Sequence, residues 1–113
     1  MGYYSDYNIT TDGTEMEEME FLAALRRDTD AKYAIDRYGG SSGEQVTWYE
    51  WERDVAEMSR RFRNLAICVH RIGQEHDDEE YAYFLNGEVT KPKEVHFFSP
   101  SWEIWLESMG RRR

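Results

Sequence analysis

This sequence lacks the defining features of several protein classes. It contains a single cysteine, Cys68, among 113 residues, which rules out an internal disulfide and therefore a disulfide-stabilised fold. No apolar run approaches the roughly 18 residues that a membrane span requires. The opening residues have neither the basic start nor the apolar stretch of a secretory signal peptide. We therefore expect a protein of the reducing cytoplasm, with no membrane partner.

Basic residues are too few to balance the acidic ones. Lysine and arginine number 14 against 23 aspartate and glutamate residues, which gives a formal net charge of −9 at pH 7. This charge repels the phosphates of nucleic acid, so direct binding of DNA or RNA is not expected. It also speeds the encounter with a basic protein surface, which makes such a protein the more natural partner.

What the sequence does contain is enough apolar material for one core. Hydrophobic residues make up 40% of the chain and aromatic residues 15%, in a length typical of one domain. No internal repeat or long linker interrupts it. We predict a single α+β domain over residues 1–110, followed by a basic tail at residues 111–113.

Local signals divide the first part of the chain into a strand and two helices. Residues 3–11 are aromatic and β-branched and precede an Asp-Gly turn, which predicts a strand. Thr14 and Glu17 form a capping box, which predicts a helix over residues 15–27. A shorter helix is expected to end before Gly39. The apolar positions predicted to face the core are Met16, Met19, Leu22, Ala23 and Leu25 in the first helix, and Ala31, Ala34, Ile35 and Tyr38 in the second.

The middle of the chain is predicted to form a strand, a helix and a second strand. Residues 45–49 and residues 65–70 carry the alternating apolar side chains that are typical of strands. The segment between them has the period of an amphipathic helix. Its predicted apolar face consists of Trp51, Val55, Met58 and Phe62.

A hairpin and a helix are predicted at the end of the chain. Asn86-Gly87 supplies the two positive-φ positions of a type I′ turn, which predicts a hairpin over residues 81–91. Residues 94–98 are expected to add a last strand. Pro100, at a first helical position, predicts a final helix that ends at Gly110.

Together these elements predict an α+β fold. We expect a mainly antiparallel sheet of four to five strands, with two long amphipathic helices on one face and short extra helices. This arrangement is related to the ferredoxin-like sandwich.

The sequence contains none of the common motifs of catalysis. It has no glycine-rich phosphate loop, no Cys-x-x-Cys, no His-Glu-x-x-His and no Gly-x-Ser-x-Gly. We therefore predict that the protein is not an enzyme and has no catalytic residue, no cofactor and no metal ligand. His70, His76 and His96 are too scattered to indicate a metal site, and Cys68 is expected to be a small buried hydrophobe.

Acidic and aromatic residues are the candidates for binding a partner. The densest charge cluster, residues 75–80, either keeps the protein soluble or presents carboxylates where phosphates would stand, facing a basic groove. Glutamates of the first predicted helix extend this acidic surface. Exposed tryptophans supply affinity, because Trp is enriched at interface hot spots. The predicted partner-binding residues are Glu75, Asp77, Asp78, Glu79, Glu80, Glu17, Glu18, Trp102 and Trp105.

Three segments occur together and in a characteristic order. They are the opening Met1-Gly2-Tyr3-Tyr4 with Tyr7, the strand Val46-Thr47-Trp48-Tyr49 before an acidic helix, and Tyr83-Phe84-Leu85-Asn86-Gly87-Glu88-Val89. In these features the chain resembles a group of small bacteriophage and prophage proteins. The likeness covers most of residues 1–91 and ends after Lys91. It implies no activity, only a setting, which is the cytoplasm of a bacterial host cell during infection or lysogeny.

These observations favour a non-enzymatic acidic interaction protein, phage-encoded, that binds and modulates or inhibits a bacterial host protein. The expected partner has a basic surface, as a defence system or a nucleic-acid-handling enzyme would have. The alternative is a structural or self-associating virion component, in which case the protein is a homo-oligomer. A further alternative is a small metal-dependent enzyme that uses the region of His76.

Overall fold

A computed structural model describes residues 4–44, 47–75, 77–92 and 101–111 of the chain. Within these ranges, no helix combines the length and the apolar character needed to cross a membrane. The strands and helices, in chain order, are β1 (Ser5–Thr11), α1 (Glu15–Asp28), α2 (Ala31–Ala34), α3 (Trp51–Arg61), β2 (Ile67–Gly73), β3 (Glu79–Leu85), β4 (Glu88–Thr90) and α4 (Ser101–Ser108).

The four strands form one antiparallel sheet in the order β1-β2-β3-β4. At one end of the sheet Thr11 pairs with Ile67, and at the other end Ser5 pairs with Gly73. The predicted α+β class with a mainly antiparallel sheet is thus confirmed. Neighbouring strands follow one another in chain order, so the described part of the sheet lacks the βαβ crossover of a ferredoxin-like sandwich. The strand predicted at residues 94–98 lies outside the described residues.

The main core lies between one face of the sheet and the helices α1, α2 and α3. Alternate strand residues point to this face, because successive side chains of a strand point to opposite sides. The buried residues that form this core include Tyr7, Ile9, Ile67, Val69, Ala82 and Phe84 from the sheet, and Phe21, Leu22, Leu25, Ala31, Ala34, Val55 and Met58 from the helices.

The helix α4 packs on the opposite face of the sheet. Tyr83 lies between two core residues of β3 and therefore points away from the core. Its ring contacts the rings of Trp102 and Trp105, with centroid separations of 5.3 and 5.2 Å. Leu106 is buried beside them. Around Tyr83 the sheet is therefore covered by helices on both faces.

The prediction of a strand at residues 45–49 is wrong for residues 47–49, which form a loop and a turn that lead into α3. Gln45 and Val46 lie outside the described residues. Trp48 is only 1% exposed, and its indole N–H donates a hydrogen bond to Asp54 of α3 at 2.8 Å. Its aromatic ring packs edge-on against Tyr7. This segment is thus held by side-chain packing and not by backbone pairing.

Part of the apolar face predicted for α1 is exposed instead of buried. Met16 is 71% exposed and Met19 is 44% exposed, and Ala23 lies on the same outer side. Phe21 occupies the centre of the buried face and is fully buried, which turns the three other side chains outward. The buried residues of α1 are Phe21, Leu22, Ala24 and Leu25.

The second predicted helix is shorter than expected. It ends at Ala34, because Ile35 has an extended backbone with φ −129° and ψ 153°. Ile35 is still buried, but Tyr38 is 63% exposed and does not face the core. In the loop that follows, the carbonyl of Gly39 accepts a hydrogen bond from the backbone N–H of Ile9 at 2.7 Å. This bond ties the loop to the outer edge of β1.

The close approach of Gly39 to β1 leads to a testable difference between two glycines. Gly39 has φ +91°, and an added Cβ would lie 2.7 Å from the carbonyl oxygen of Ile9. Gly43 has a similar φ of +84°, but nothing lies near its added Cβ. We expect Gly39→Ala to lower the free energy of unfolding by at least about 2 kcal/mol, against about 1 kcal/mol for Gly43→Ala. Urea denaturation of the two variants measures this, and equal losses would contradict it.

The local signals for the turns and helix ends are confirmed. Thr14 and Glu17 form both hydrogen bonds of the capping box. Asn86 and Gly87 have φ values of 48° and 85°, as a type I′ turn requires. The helix α4 stops at Gly110, which has φ 70°. Hydrogen bonds from Gly110 N–H to Glu107 and from Arg111 N–H to Leu106 complete a Schellman motif there.

Candidate functional site

The predicted partner-binding residues fall into two groups at opposite ends of the sheet. The acidic run at residues 75–80 adjoins the end where Ser5 pairs with Gly73. Glu17, Glu18 and Trp102 adjoin the end where β1 finishes at Thr11. The seven residues of β1 separate these ends by about 20 Å, since each strand residue advances about 3.3 Å. The structure thus divides the predicted surface into two sites.

At the first end, two carboxylates of the acidic run are held by Arg71. The guanidinium donates hydrogen bonds to Asp78 at 2.6 Å, to Glu80 at 2.8 Å and to the Ser5 hydroxyl at 3.0 Å. The Arg71 side chain is only 14% exposed. The pKa of Arg71 is raised, mainly by its hydrogen bond with Asp78. Asp78 and Glu80 therefore neutralise a largely buried cation.

A second cation extends this network. Lys91 lies 3.2 Å from Glu80 and 2.5 Å from Glu52 of α3, and its ammonium group lies 5.7 Å from the centre of the Trp51 ring. The hydrogen bond with Glu52 is the main reason that the pKa of Lys91 is raised. The network therefore links the edge strand β4 to the helical layer.

The remaining acids of the run point in different directions. Glu79 alternates with Glu80 along β3, so it lies on the opposite face of the sheet, where it contacts the His70 ring nitrogen. The ring of Tyr81 stacks on His70 at a centroid distance of 4.2 Å. Glu75 and Asp77 are exposed at the tip of the loop. The run is therefore not a single row of carboxylates.

At the second end, the glutamates of α1 are tied to the fold. The Glu17 carboxylate accepts a hydrogen bond from the Thr14 backbone N–H at 2.8 Å, which lowers its pKa. Glu18 accepts a hydrogen bond from the Thr11 hydroxyl at 2.9 Å. The first bond caps the start of α1, and the second fixes the first turn of α1 against the end of β1.

A cleft of about 830 Å³ lies between this turn and α4. Its walls include Asp12, Glu17, Trp102, Leu106 and Arg111. Two of the predicted residues, Glu17 and Trp102, are thus brought together at one site. The cleft combines carboxylates with an apolar wall, a composition that suits a side chain with both a cationic and an apolar part.

Trp105 packs against Trp102, one of the residues that line the cleft. Its ring stacks on that of Trp102 with centroids 5.5 Å apart and an interplanar angle of 19°. Both rings rest on Tyr83, and both are half-buried. The two tryptophans are therefore largely used to dock α4 on the sheet, and only part of their surface is available to a partner.

Exposed apolar residues on the outer side of α1 were missed by the sequence analysis. Met16, Met19 and Ala23 form a stripe on the outer side of α1, which we call the methionine stripe. Glu15 and Glu20 border it and are exposed. The signal that identifies it is Phe21, because a helical wheel centred on this large aromatic residue places the stripe on the opposite side.

The described residues contain no cluster of metal-ligating side chains. Within residues 4–44, 47–75, 77–92 and 101–111, no three His, Cys, Asp or Glu side chains are grouped so as to hold a metal ion. His76 and His96 lie outside these residues. Tyr7 is buried, and this burial raises its pKa.

Cys68 is buried on the sheet, as expected from its apolar neighbours, and burial raises the pKa of its thiol to about 12. A raised pKa favours the neutral thiol in the folded state. This contribution to stability is present below the ordinary thiol pKa of about 8.5 and is lost as the pH rises toward 12. We expect no reaction of native Cys68 with Ellman's reagent at pH 8, and full reaction after unfolding in guanidinium. Equal rates in both states would contradict this prediction.

Comparison with known proteins identifies no family. No protein-family model matches the chain. It is 31% identical over 72 residues to the monodechloroaminopyrrolnitrin halogenase PrnC of Pseudomonas fluorescens, a match that covers 63% of this chain and 13% of the halogenase. No solved structure matches. The chain is therefore similar to a small part of that halogenase.

Proposed function

We propose that this protein is a non-enzymatic interaction protein that binds a protein partner with a basic surface. In this proposal the methionine stripe and the adjoining cleft are the contact surface. The observation that carries the proposal is the exposure of Met16 and Met19, at 71% and 44%, on a helix whose other side is fully packed. Two neighbouring exposed methionines favour a binding role because a flexible, polarisable side chain adapts to a partner surface.

The stripe supplies the apolar part of the interaction. Full burial of a methionine side chain contributes about 1.5–3 kcal/mol. Met16, Met19 and Ala23 are spaced i, i+3 and i+7, so they lie along one side of α1 and fit a groove or a second helix. Removing this surface from water is therefore sufficient to change affinity measurably.

The carboxylates supply the selectivity for a basic partner. Glu15 and Glu20 border the stripe, Glu17 lines the cleft, and Glu18 is bonded to Thr11 beside it. The net charge of −9 adds long-range attraction to a cationic surface. Glu75, Asp77 and Glu79 at the far end contribute to this attraction. Asp78 and Glu80 act indirectly, by fixing the loop through Arg71.

The resemblance to small phage and prophage proteins supplies the setting for this proposal. A phage-encoded protein of this kind binds and modulates a bacterial host protein in the cytoplasm of the host cell. Defence systems and nucleic-acid-handling enzymes have the basic surfaces that such an acidic protein would recognise. The partner is therefore sought among bacterial proteins.

The test is capture of partners from bacterial lysate by the tagged protein at low and at high salt, read by mass spectrometry. We compare the parent with a Met16→Ser/Met19→Ser variant. The control is a Tyr38→Ser/Tyr49→Ser variant, since these tyrosines are exposed elsewhere on the surface. We expect a stoichiometric bacterial protein whose recovery falls about tenfold or more in the methionine variant and in high salt. The tyrosine variant should retain it.

Two outcomes would overturn the proposal. If the methionine and tyrosine variants recover the same proteins in the same amounts, the stripe is not the contact. If the protein recovers only further copies of itself or phage structural proteins, the virion component becomes the better function.

A further inference from the structure

Arg111 occupies one side of the cleft and binds an acidic group there. Its guanidinium donates to both carboxylate oxygens of Asp12, from Nε at 2.7 Å and from Nη2 at 3.1 Å. The same Nη2 also contacts the carbonyl oxygen of Asn64. A planar guanidinium that meets a carboxylate with two parallel bonds is a specific and strong arrangement. The cleft therefore contains a formed binding site for an arginine side chain.

The acceptor side of this site is held independently of Arg111. Oδ1 of Asp12 also accepts the backbone N–H of Ala66 at 2.9 Å. The backbone N–H of Asp12 donates to the carbonyl of Ala66 at 3.1 Å. The carboxylate is thus fixed by the end of the sheet, and it keeps its orientation when Arg111 leaves.

Arg111, in contrast, extends from the end of α4, and its side chain is held in the cleft by Asp12 and the Asn64 carbonyl. It follows Gly110, whose positive φ turns the chain out of the helix. The anchors of α4 on the sheet are Leu106 and the rings that rest on Tyr83, all of them earlier in the helix. Arg111 can therefore dissociate from Asp12 without a disturbance of the core.

We propose that the cleft binds an arginine side chain of the partner at Asp12, and that Arg111 is an internal ligand which this arginine displaces. The inference rests on the proposed function, because it names the residue that the basic partner inserts. Asp12 receives one guanidinium in this geometry, so the two arginines exclude one another. The volume of about 830 Å³ admits a side chain of this size, and Trp102 and Leu106 line the same cleft beside the apolar stem of such a side chain.

Lysine is a poor substitute at this site. Its ammonium group is a single point charge, and it cannot form the two parallel bonds that a carboxylate makes with a guanidinium. A partner that uses this cleft should therefore present arginine, and replacement of that arginine by lysine should weaken binding.

The test uses a capped peptide of alternating arginine and leucine residues and its lysine twin, titrated into the full protein. Binding is followed by tryptophan fluorescence. We expect Arg111→Gln to bind the arginine peptide about fivefold or more tightly than the parent does. Asp12→Asn should lose this binding, while its amide oxygen still accepts from Ala66. The control variant Arg37→Gln makes the same charge change at an exposed position and should match the parent.

Either of two results in the peptide titrations would overturn the inference. One is an unchanged or weaker affinity of Arg111→Gln for the arginine peptide, and the other is equal affinity for the lysine twin. A further measurement needs no variant. When the parent protein is saturated with the arginine peptide, the NMR signal of the Arg111 Nε–H should move to the position of a free arginine. Persistence of the bound position at saturation would equally overturn it.

A failure of the arginine-site inference can be distinguished from a failure of the proposed function. If Asp12→Asn captures the bacterial partner as well as the parent does, the arginine site is wrong and the methionine stripe remains the contact. If the stripe variant captures it as well as the parent does, the proposed function itself is wrong.

Discussion

Trp48→Ala is expected to lower the free energy of unfolding by about 3–5 kcal/mol, the usual loss for removal of a fully buried aromatic side chain. Trp48 is among the largest fully buried side chains, and it joins the loop before α3 to the core. Its ring packs against Tyr7 with centroids 5.3 Å apart. The substitution therefore leaves a cavity and also removes the indole that binds Asp54.

A second substitution separates these two contributions. Trp48→Phe keeps most of the apolar ring but removes the N–H that donates to Asp54, so we expect a loss nearer to about 1–2 kcal/mol. Urea denaturation, followed by far-ultraviolet circular dichroism, measures both variants. A loss below about 1 kcal/mol for Trp48→Ala would mean that this segment is not part of the cooperative core.

Arg71→Met is expected to lower the free energy of unfolding by about 3 kcal/mol. Removal of the central cation of a partly buried ion-pair network costs stability because the remaining charges lose compensation, although Glu80 keeps its contact with Lys91. Here two carboxylates, Asp78 and Glu80, lose the guanidinium that binds them. Since a domain has only about 5–15 kcal/mol of stability in total, this is a large fraction.

The reason for this loss can be tested by removing the carboxylates as well. In the triple variant Arg71→Met/Asp78→Asn/Glu80→Gln no uncompensated charge remains, so we expect most of the lost stability to return. Chemical denaturation of the parent, the single variant and the triple variant provides the comparison. If the triple variant is less stable than the single variant, the effect of Arg71 is not due to these carboxylates.

The parts of the fold that depend on neighbouring residues could be predicted from the sequence. The capping box at Thr14, the turn at Asn86-Gly87 and the stop at Gly110 each need only a few adjacent residues, and all three are confirmed. The α+β class follows from the same signals together with hydrophobic periodicity. These features are local, so the sequence contains the information that determines them.

The features that depend on distant contacts could not be predicted. An aromatic, β-branched segment such as residues 47–49 suits a strand, but its place was decided by the packing of Trp48 against Tyr7 and Asp54. On α1, periodicity allowed more than one buried face, and the size of Phe21 decided between them. For Trp48 the deciding contact, with Tyr7, joins parts of the chain that are remote in sequence. On α1 the deciding feature is the large Phe21 side chain, which is visible in the sequence itself.

The structure places two of the residues predicted to bind a partner at one cleft. Glu17 and Trp102 do line one cleft, although they are far apart in the chain. The acidic run, in contrast, does not form one surface, because the pairing of β2 with β3 places Arg71 opposite Glu80. A run of like charges therefore gives no information about the cations that the fold brings to it.

The position of β1 in the sheet has a consequence for the order in which the protein folds. The strands β2, β3 and β4 pair with their neighbours in sequence, whereas Thr11 of β1 must find Ile67 across the three helices α1, α2 and α3. Closing that long connection costs chain entropy before any contact compensates for it. We therefore expect the three later strands to assemble first and β1 to join last, in a slow step set by topology. Until then the β2 edge stays open, so the nascent chain is exposed to wrong strand pairing in that interval.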